Sequence, residues 1–331
     1  KLNSNILFSL IIFIYLIFEI LSKNNTIIIE VNKIGLQSIL NGNFTKKPFV
    51  FINENQVQLL SDNKIEVNSI NDNIKLVWNF DLTTCQNMFN GLTNITKIDF
   101  IDFDSRLVTS TKNMFYNCKN LKSVNMNGFN TSNVRIIEEM FFNCNNLEDL
   151  NLGQFDNTLT TSMRGLLQNC YKLKSIDLSK FYTPKASKMC FMFYNDYSLT
   201  SLNLSSFDTS LVTHMESMFF KCSKLIILQL GHFLTNKVEE MNNMFNSCSN
   251  LKYLDIKNIS TKSIKTIGKM FYGCSSLISI SGLSNLNTNN IISMAHMFEE
   301  YPLLKNIDDI SKYNTNKVID ISNIFSGCSS L

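Results

Sequence analysis

The chain has 331 residues, and its 30 Lys and Arg against 27 Asp and Glu give a formal net charge of +3. That charge is spread without a basic stripe, which removes the electrostatic footing for nucleic-acid binding. Hydrophobic residues make up 44% and charged residues only 17%, while 3 Pro and 11 Gly argue against long linkers.

Taken in chain order, the first feature is an apolar run from Ile6 to Leu21, interrupted by Ser9 and Glu19 and preceded by Lys1. A basic flank followed by such a run is the pattern of a secretory signal peptide over residues 1–22, with Ser22 as a small residue at the cleavage point. The alternatives are an uncleaved membrane anchor, although the run falls short of the ~20 residues that span a bilayer, and a buried strand or helix. A chain opening on Lys reads as a fragment or as processed at its start. Residues 23–80 are a different unit. Thr26 to Val31, Phe49 to Ile52 and Ile74 to Trp78 read as β-rich runs separated by Asn, Gly and Asp clusters. A solenoid end exposes the apolar interior of its last coil, so this β-rich region is expected to be an N-terminal cap, with Trp78 as a packing plug.

From residue 81 to 331 one phrase recurs: an apolar pair, two spacers, then Cys. It reads Met114-Phe115 to Cys118, Met140-Phe141 to Cys144, Leu166-Leu167 to Cys170, Met218-Phe219 to Cys222, Met244-Phe245 to Cys248, Met270-Phe271 to Cys274 and Ile324-Phe325 to Cys328. Leu92, Asp196 and Tyr301 take the Cys position in three further copies. The step is 26 residues from Met88 to Met270 and 27 for the last two. A fixed period of this size defines a solenoid, whose units bury their apolar faces only by stacking. A second phrase, L-x-x-L-x-L, lies between the anchors, as in Leu147-Leu150-Leu152 and Leu251-Leu254-Ile256. Its last two positions alternate with polar residues, the period of a strand with one buried face. Phe129, Phe155, Phe181, Phe207 and Phe233 follow as a column in the loop after the strand.

The next stripe, Val212, Met215, Met218, Phe219 and Cys222, has the spacing of a short helix. Ser210 and Asn236 would cap such helices, with Glu239 as a capping-box partner. The expected fold is therefore α/β: a leucine-rich-repeat solenoid of about nine to ten strand-turn-short-helix coils, helices convex, strands in one parallel concave sheet. Nine strands at the usual spacing would stack to about 40–45 Å. The Cys residues close the apolar stripe, where a free thiol behaves as a small hydrophobe. They are expected to be reduced core thiols, with Cys190 alone exposed. The sequence stops inside a repeat, so further repeats are expected to follow.

The combined phrase, for instance LTSLNLSSFDTSLVTHMESMFFKCSKL from Leu199 to Leu225, resembles the BspA-type leucine-rich-repeat surface proteins of bacteria, including mycoplasmas, and of several protists. The resemblance covers about Asp81 to Leu331. It implies a secreted or cell-surface protein that binds other molecules, in adhesion or matrix contact, without catalysis. The composition is compatible with that implication. His214 and His296 lie between apolar stripe positions and His232 lies in a loop, none beside a nucleophile or carboxylate at a catalytic spacing. Phosphate-loop, zinc-protease and EF-hand signatures are missing and no C-x-x-C pair exists, so no enzyme activity, cofactor or metal is expected.

Binding is expected on the concave strand face, through the residues that alternate with the buried leucines. These are Ser123, Asn125, Asp149, Asn151, Ser175, Asp177, Ser201, Asn203, Ile227, Gln229, Tyr253 and Asp255. A short polar row with few aromatics suits protein or glycan ligands held by many weak contacts. Nucleic acid is not an expected partner, and membrane contact is expected only through the N-terminal segment or an anchor beyond the C-terminus. Among the N-x-S/T sequons, the one at Asn203 would place a glycan on this face and obstruct it. Two alternatives remain open: the ectodomain of a membrane receptor, and an intracellular repeat scaffold.

Overall fold

The computed structural model describes residues 25–331, except 43, 45, 153, 154, 232, 306, 308 and 309. The apolar segment 1–22 and His232 therefore lie outside the described residues.

The chain begins with six strands, β1 (Asn25–Val31), β2 (Gly35–Ser38), β3 (Phe49–Ile52), β4 (Asn55–Val57), β5 (Lys64–Val67) and β6 (Ile74–Trp78). Period-2 burial in β1 and β6 sends Ile27, Ile29, Ile74, Leu76 and Trp78 into the core. β1 lies between β6 and β7 (Ile95–Asp102), antiparallel to both. β7 in turn pairs in parallel with β8 (Ser123–Asn125), and β8 with β9 (Asp149–Asn151). One seven-stranded sheet, ordered β4-β3-β6-β1-β7-β8-β9, thus runs from the N-terminal strands into the coils. The edge of the first coil strand is covered by main-chain pairing with β1, which leaves no open ladder there.

Further along, β10 (Ser201–Asn203) pairs in parallel with β11 (Ile227–Gln229), and β12 (Tyr253–Asp255) with β13 (Ser279–Ser281). The solenoid fold stands, but three expectations about it do not. Seven coil strands, β7 to β13, are formed among the described residues, not nine to ten. They do not make one concave sheet, because pairing lapses at Ser175–Asp177, which forms no strand, and again between β11 and β12. Most of these strands are three residues long around one buried side chain, such as Leu202 or Leu254, so little apolar burial holds each in register.

The third correction concerns the Met-Phe-x-x-Cys stripe. It forms no helix. Along Met215 to Cys222, alternate residues do different things. The amides of Met215, Ser217, Phe219 and Lys221 donate to Glu240, Asn242, Met244 and Asn246 of the next coil. Those of Met218, Phe220 and Cys222 donate three residues back, to Met215, Ser217 and Phe219. The stripe is a chain of tight turns cross-linked to its neighbours. Its 3-1-3 apolar spacing mimics a helix because a turn closed every third residue brings similar positions to one face.

Two residues per coil pay for this geometry with a left-handed backbone, for example Asn113 (φ 56) and Asn117 (φ 60), Glu139 and Asn143, and Ser217 and Lys221. Asn tolerates that region better than other residues with a Cβ, and it is the residue type found there most often in a chain where Asn is about one residue in seven. Ser210, Asn236 and Glu239 accordingly cap no helix. The buried hydroxyls nearby belong instead to Thr183, Thr209, Thr235 and Thr261, which donate to main-chain oxygens of the next coil at 2.7–3.0 Å.

Inside, Phe193, Phe219, Phe245, Phe271, Phe298 and Phe325 stack face to face at 5.6–5.7 Å. The Cys column lies beside them. Cys118, Cys144, Cys222, Cys248 and Cys274 donate their thiols to the oxygen of a Phe in the preceding coil. Burial pushes the Cys118 and Cys274 thiols up to about 12, so the column is chemically inert. All nine Cys are free. Cys190 is buried too, a correction to its expected exposure, because its turn position packs against the neighbouring coils.

Candidate functional site

The strand face begins as a polar ladder. Ser123 sits opposite Asp149 and Asn125 opposite Asn151, and the Ser123 hydroxyl donates to the Asp149 carboxylate at 3.3 Å. Ser201 sits opposite Ile227 and Asn203 opposite Gln229. Tyr253 and Asp255 pair with Ser279 and Ser281, and Ser175 and Asp177 lie exposed on the strandless coil. Ten of the twelve expected residues are exposed and Ser123 and Asn125 are half-buried, yet they are not equivalent.

Four of them already have a local task. The side-chain oxygens of Asn125, Asp177, Asn203 and Asp255 accept the amide two residues on, from Asn127, Ser179, Ser205 and Lys257, at 2.9–3.2 Å. These short polar side chains close the turn that ends each strand. At Asp177 the bonds to Ser179 hold the carboxyl below its usual range.

Ile227 and Tyr253 differ. They are 56% and 64% exposed, with Ile226 and Ile278 beside them at 48% and 41%. They flank the place where β11 and β12 fail to pair. A cleft of about 290 Å³ opens there, lined by Leu228, Gln229, Leu230, Gly231, Phe233, Asp255, Ile256, Lys257, Asn258 and Ile259. The Lys257 ammonium lies 3.7 Å from the Asp255 carboxylate at its rim. Sequence patterning finds Ile227 and Tyr253 but misses Ile226 and Ile278, and it misses the cleft. The available signal was the double Ile at 226–227, one apolar residue more than an alternating strand needs.

The His214 Nδ1 is 2.8 Å from the Thr213 hydroxyl, and His296 pairs with Glu299, both away from the cleft lining. Among the described residues no group of three His, Cys, Asp or Glu side chains is placed to hold a metal ion. None of the described helices is long and apolar enough to cross a membrane.

The repeated strand, Phe column and turn ladder define a leucine-rich-repeat solenoid of the BspA kind. Matches over residues 83–201, 161–278, 196–301 and 246–331 assign the chain to the family described as Mycoplasma protein of unknown function, DUF285, and it belongs to that family. Among solved structures, a leucine-rich repeat protein from Bacteroides ovatus is 20% identical, with 89% of this chain and 92% of that one covered, at a TM-score of 0.36. A leucine rich cell surface protein from Faecalibacterium prausnitzii is 17% identical, with coverage of 72% and 87% and a TM-score of 0.27. Comparison with curated proteins gives no match.

Proposed function

We propose that the chain is a non-enzymatic binding protein of the cell surface or secreted space, and that its strand face docks a protein ligand at Ile227 and Tyr253. The observation that carries this reading is the pair itself: two large, exposed apolar side chains beside a cleft, within an otherwise polar row. A Tyr with an aliphatic neighbour and a polar rim is the usual composition of an interface anchor. The repeat family and the apolar residues 1–22 support a surface or secreted location.

Two measurements test it. An antibody against the repeats should label intact cells, and a purely cytosolic signal would contradict the location. Soluble chain should retain a protein from a preparation of host or matrix proteins, and Ile227→Asp or Tyr253→Ala should weaken that capture by about tenfold or more, as for an anchor residue. Capture unchanged by both substitutions would place the ligand elsewhere.

A further inference from the structure

A larger concavity lies off the strand face, along the edge where each coil leaves the turn ladder for its strand. It is a groove of about 710 Å³, and Tyr197, Lys221, Ser223, Ser249, Ser275 and Glu300 are among the residues lining it. The same edge is filled in the preceding coils. Asn143 donates to Asn117 at 2.8 Å, Asn169 to Asn143 at 2.7 Å and Asn195 to Asn169 at 3.1 Å, forming an amide ladder. Beside it Tyr171 and Tyr197 stack with centroids 5.0 Å apart. Both columns then stop. Lys221 follows the last Asn, and Ser223 takes the place of a third ring, so the second face of Tyr197 looks along the groove.

The chemistry of the groove selects its ligand. Tyr197 offers an aromatic face, 40% exposed, on which the C–H face of a sugar ring can lie. Beyond it, the Ser249 and Ser275 hydroxyls donate only at 3.3 and 3.5 Å to the oxygens of Ser223 and Ser249, leaving acceptor lone pairs toward the groove. They recur at the coil spacing of about 4.8 Å, close to the advance of one pyranose unit. Lys221 near one end and Glu300, bonded to Tyr272, near the other leave no net charge. An aromatic peptide side chain would stack on Tyr197 as well, but it would then face a floor of hydroxyls and amides.

We propose that this groove binds a neutral oligosaccharide, one ring of which lies on Tyr197 above Ser223 and continues the tyrosine column. This site is separate from the protein-docking pair on the strand face.

The test uses the full chain and an immobilised panel of neutral tetrasaccharides of the glucan, mannan, xylan and N-acetylglucosamine types. The wild type should retain at least one of them. Ser223→Tyr extends the column within the protein and fills the groove, and it should weaken that binding by about tenfold or more. Tyr197→Ala, at an exposed ring, should do the same should the larger side chain disturb folding. Tyr253→Ala should leave it unchanged. No retention of any panel member at millimolar concentration overturns the proposal. So does retention that survives Tyr197→Ala, or a groove that takes aromatic peptides in place of the sugars.

Discussion

The turn side and the strand side of each coil solve the same stacking problem with different strength. On the turn side, an inter-coil ladder runs from Phe89, which donates to Met114, to Phe298, which donates to Ile324. Buried Phe rings and thiols stack behind it. On the strand side, the ladder is broken into separate sheets by the strandless coil at Ser175–Asp177 and by the gap between β11 and β12. The difference shows where the sequence is constrained. The packed column admits few residue types, whereas a three-residue strand with one buried side chain leaves its first outward position free to vary, the second often closing the turn. A binding surface is more readily built on the strand side.

The largest expected effect tests the column. Phe219→Ala removes a fully buried ring stacked on Phe193 and Phe245, and should lower unfolding stability by about 3–5 kcal/mol in denaturant titration. A loss near that of a surface substitution would mean the turn side is not the stronger one.

The second prediction concerns Asp196, which takes the Cys position inside the column. Its carboxyl is fully buried, accepts the Cys170 amide at 2.7 Å through one oxygen, and leaves the other without a partner. Burial pushes it well above the usual carboxylate range. The folded state therefore holds this proton more tightly than the unfolded state. Its contribution is fully present below 3.8 and is lost as pH rises through the folded value. Asp196→Asn should be more stable than wild type at pH 7 by about 1–3 kcal/mol, the cost of an unsatisfied buried group. The gap should narrow as pH falls towards 4, and a gap independent of pH would show that Asp196 is not desolvated.

Two smaller effects sharpen the contrast. Asn169 sits at φ 66 and bonds both Asn143 and Asn195. Asn169→Ala should cost about 1–2 kcal/mol, and Asn169→Gly less, because glycine removes the left-handed strain. Equal losses would assign the effect to the amide ladder alone. Tyr253→Ala should change stability by no more than about 0.5 kcal/mol while weakening ligand capture. A large loss of stability would make Tyr253 a packing residue.

The period, the buried leucines, the buried loop Phe residues, of which Phe155, Phe181 and Phe207 stack, and most of the core thiols were legible in the sequence, because burial imposes the same residue types every coil. The turn ladder was not. Met215, Met218, Phe219 and Cys222 satisfy helical spacing and successive turns alike, and only the backbone separates them. The recurring Asn at positions such as 113, 117, 143 and 243 carried the clue, since Asn inside an apolar stripe is poorly suited to a helix and well suited to a left-handed turn. For the site, alternation located the strand face but gave every outward residue equal weight. That Asn125, Asp177, Asn203 and Asp255 close their own turns, and that β11 and β12 part beneath Ile227 and Tyr253, depends on pairing that one strand's sequence does not encode.

The claim on which the comparison rests is that the Met-Phe-x-x-Cys stripe is hydrogen-bonded between coils. Scalar couplings across hydrogen bonds, measured by NMR on the labelled chain, read this directly at the Phe219 amide. A coupling to the Met244 carbonyl, 25 residues on, is the predicted result. A coupling to Met215, four residues back, would mean a helix and would contradict the account.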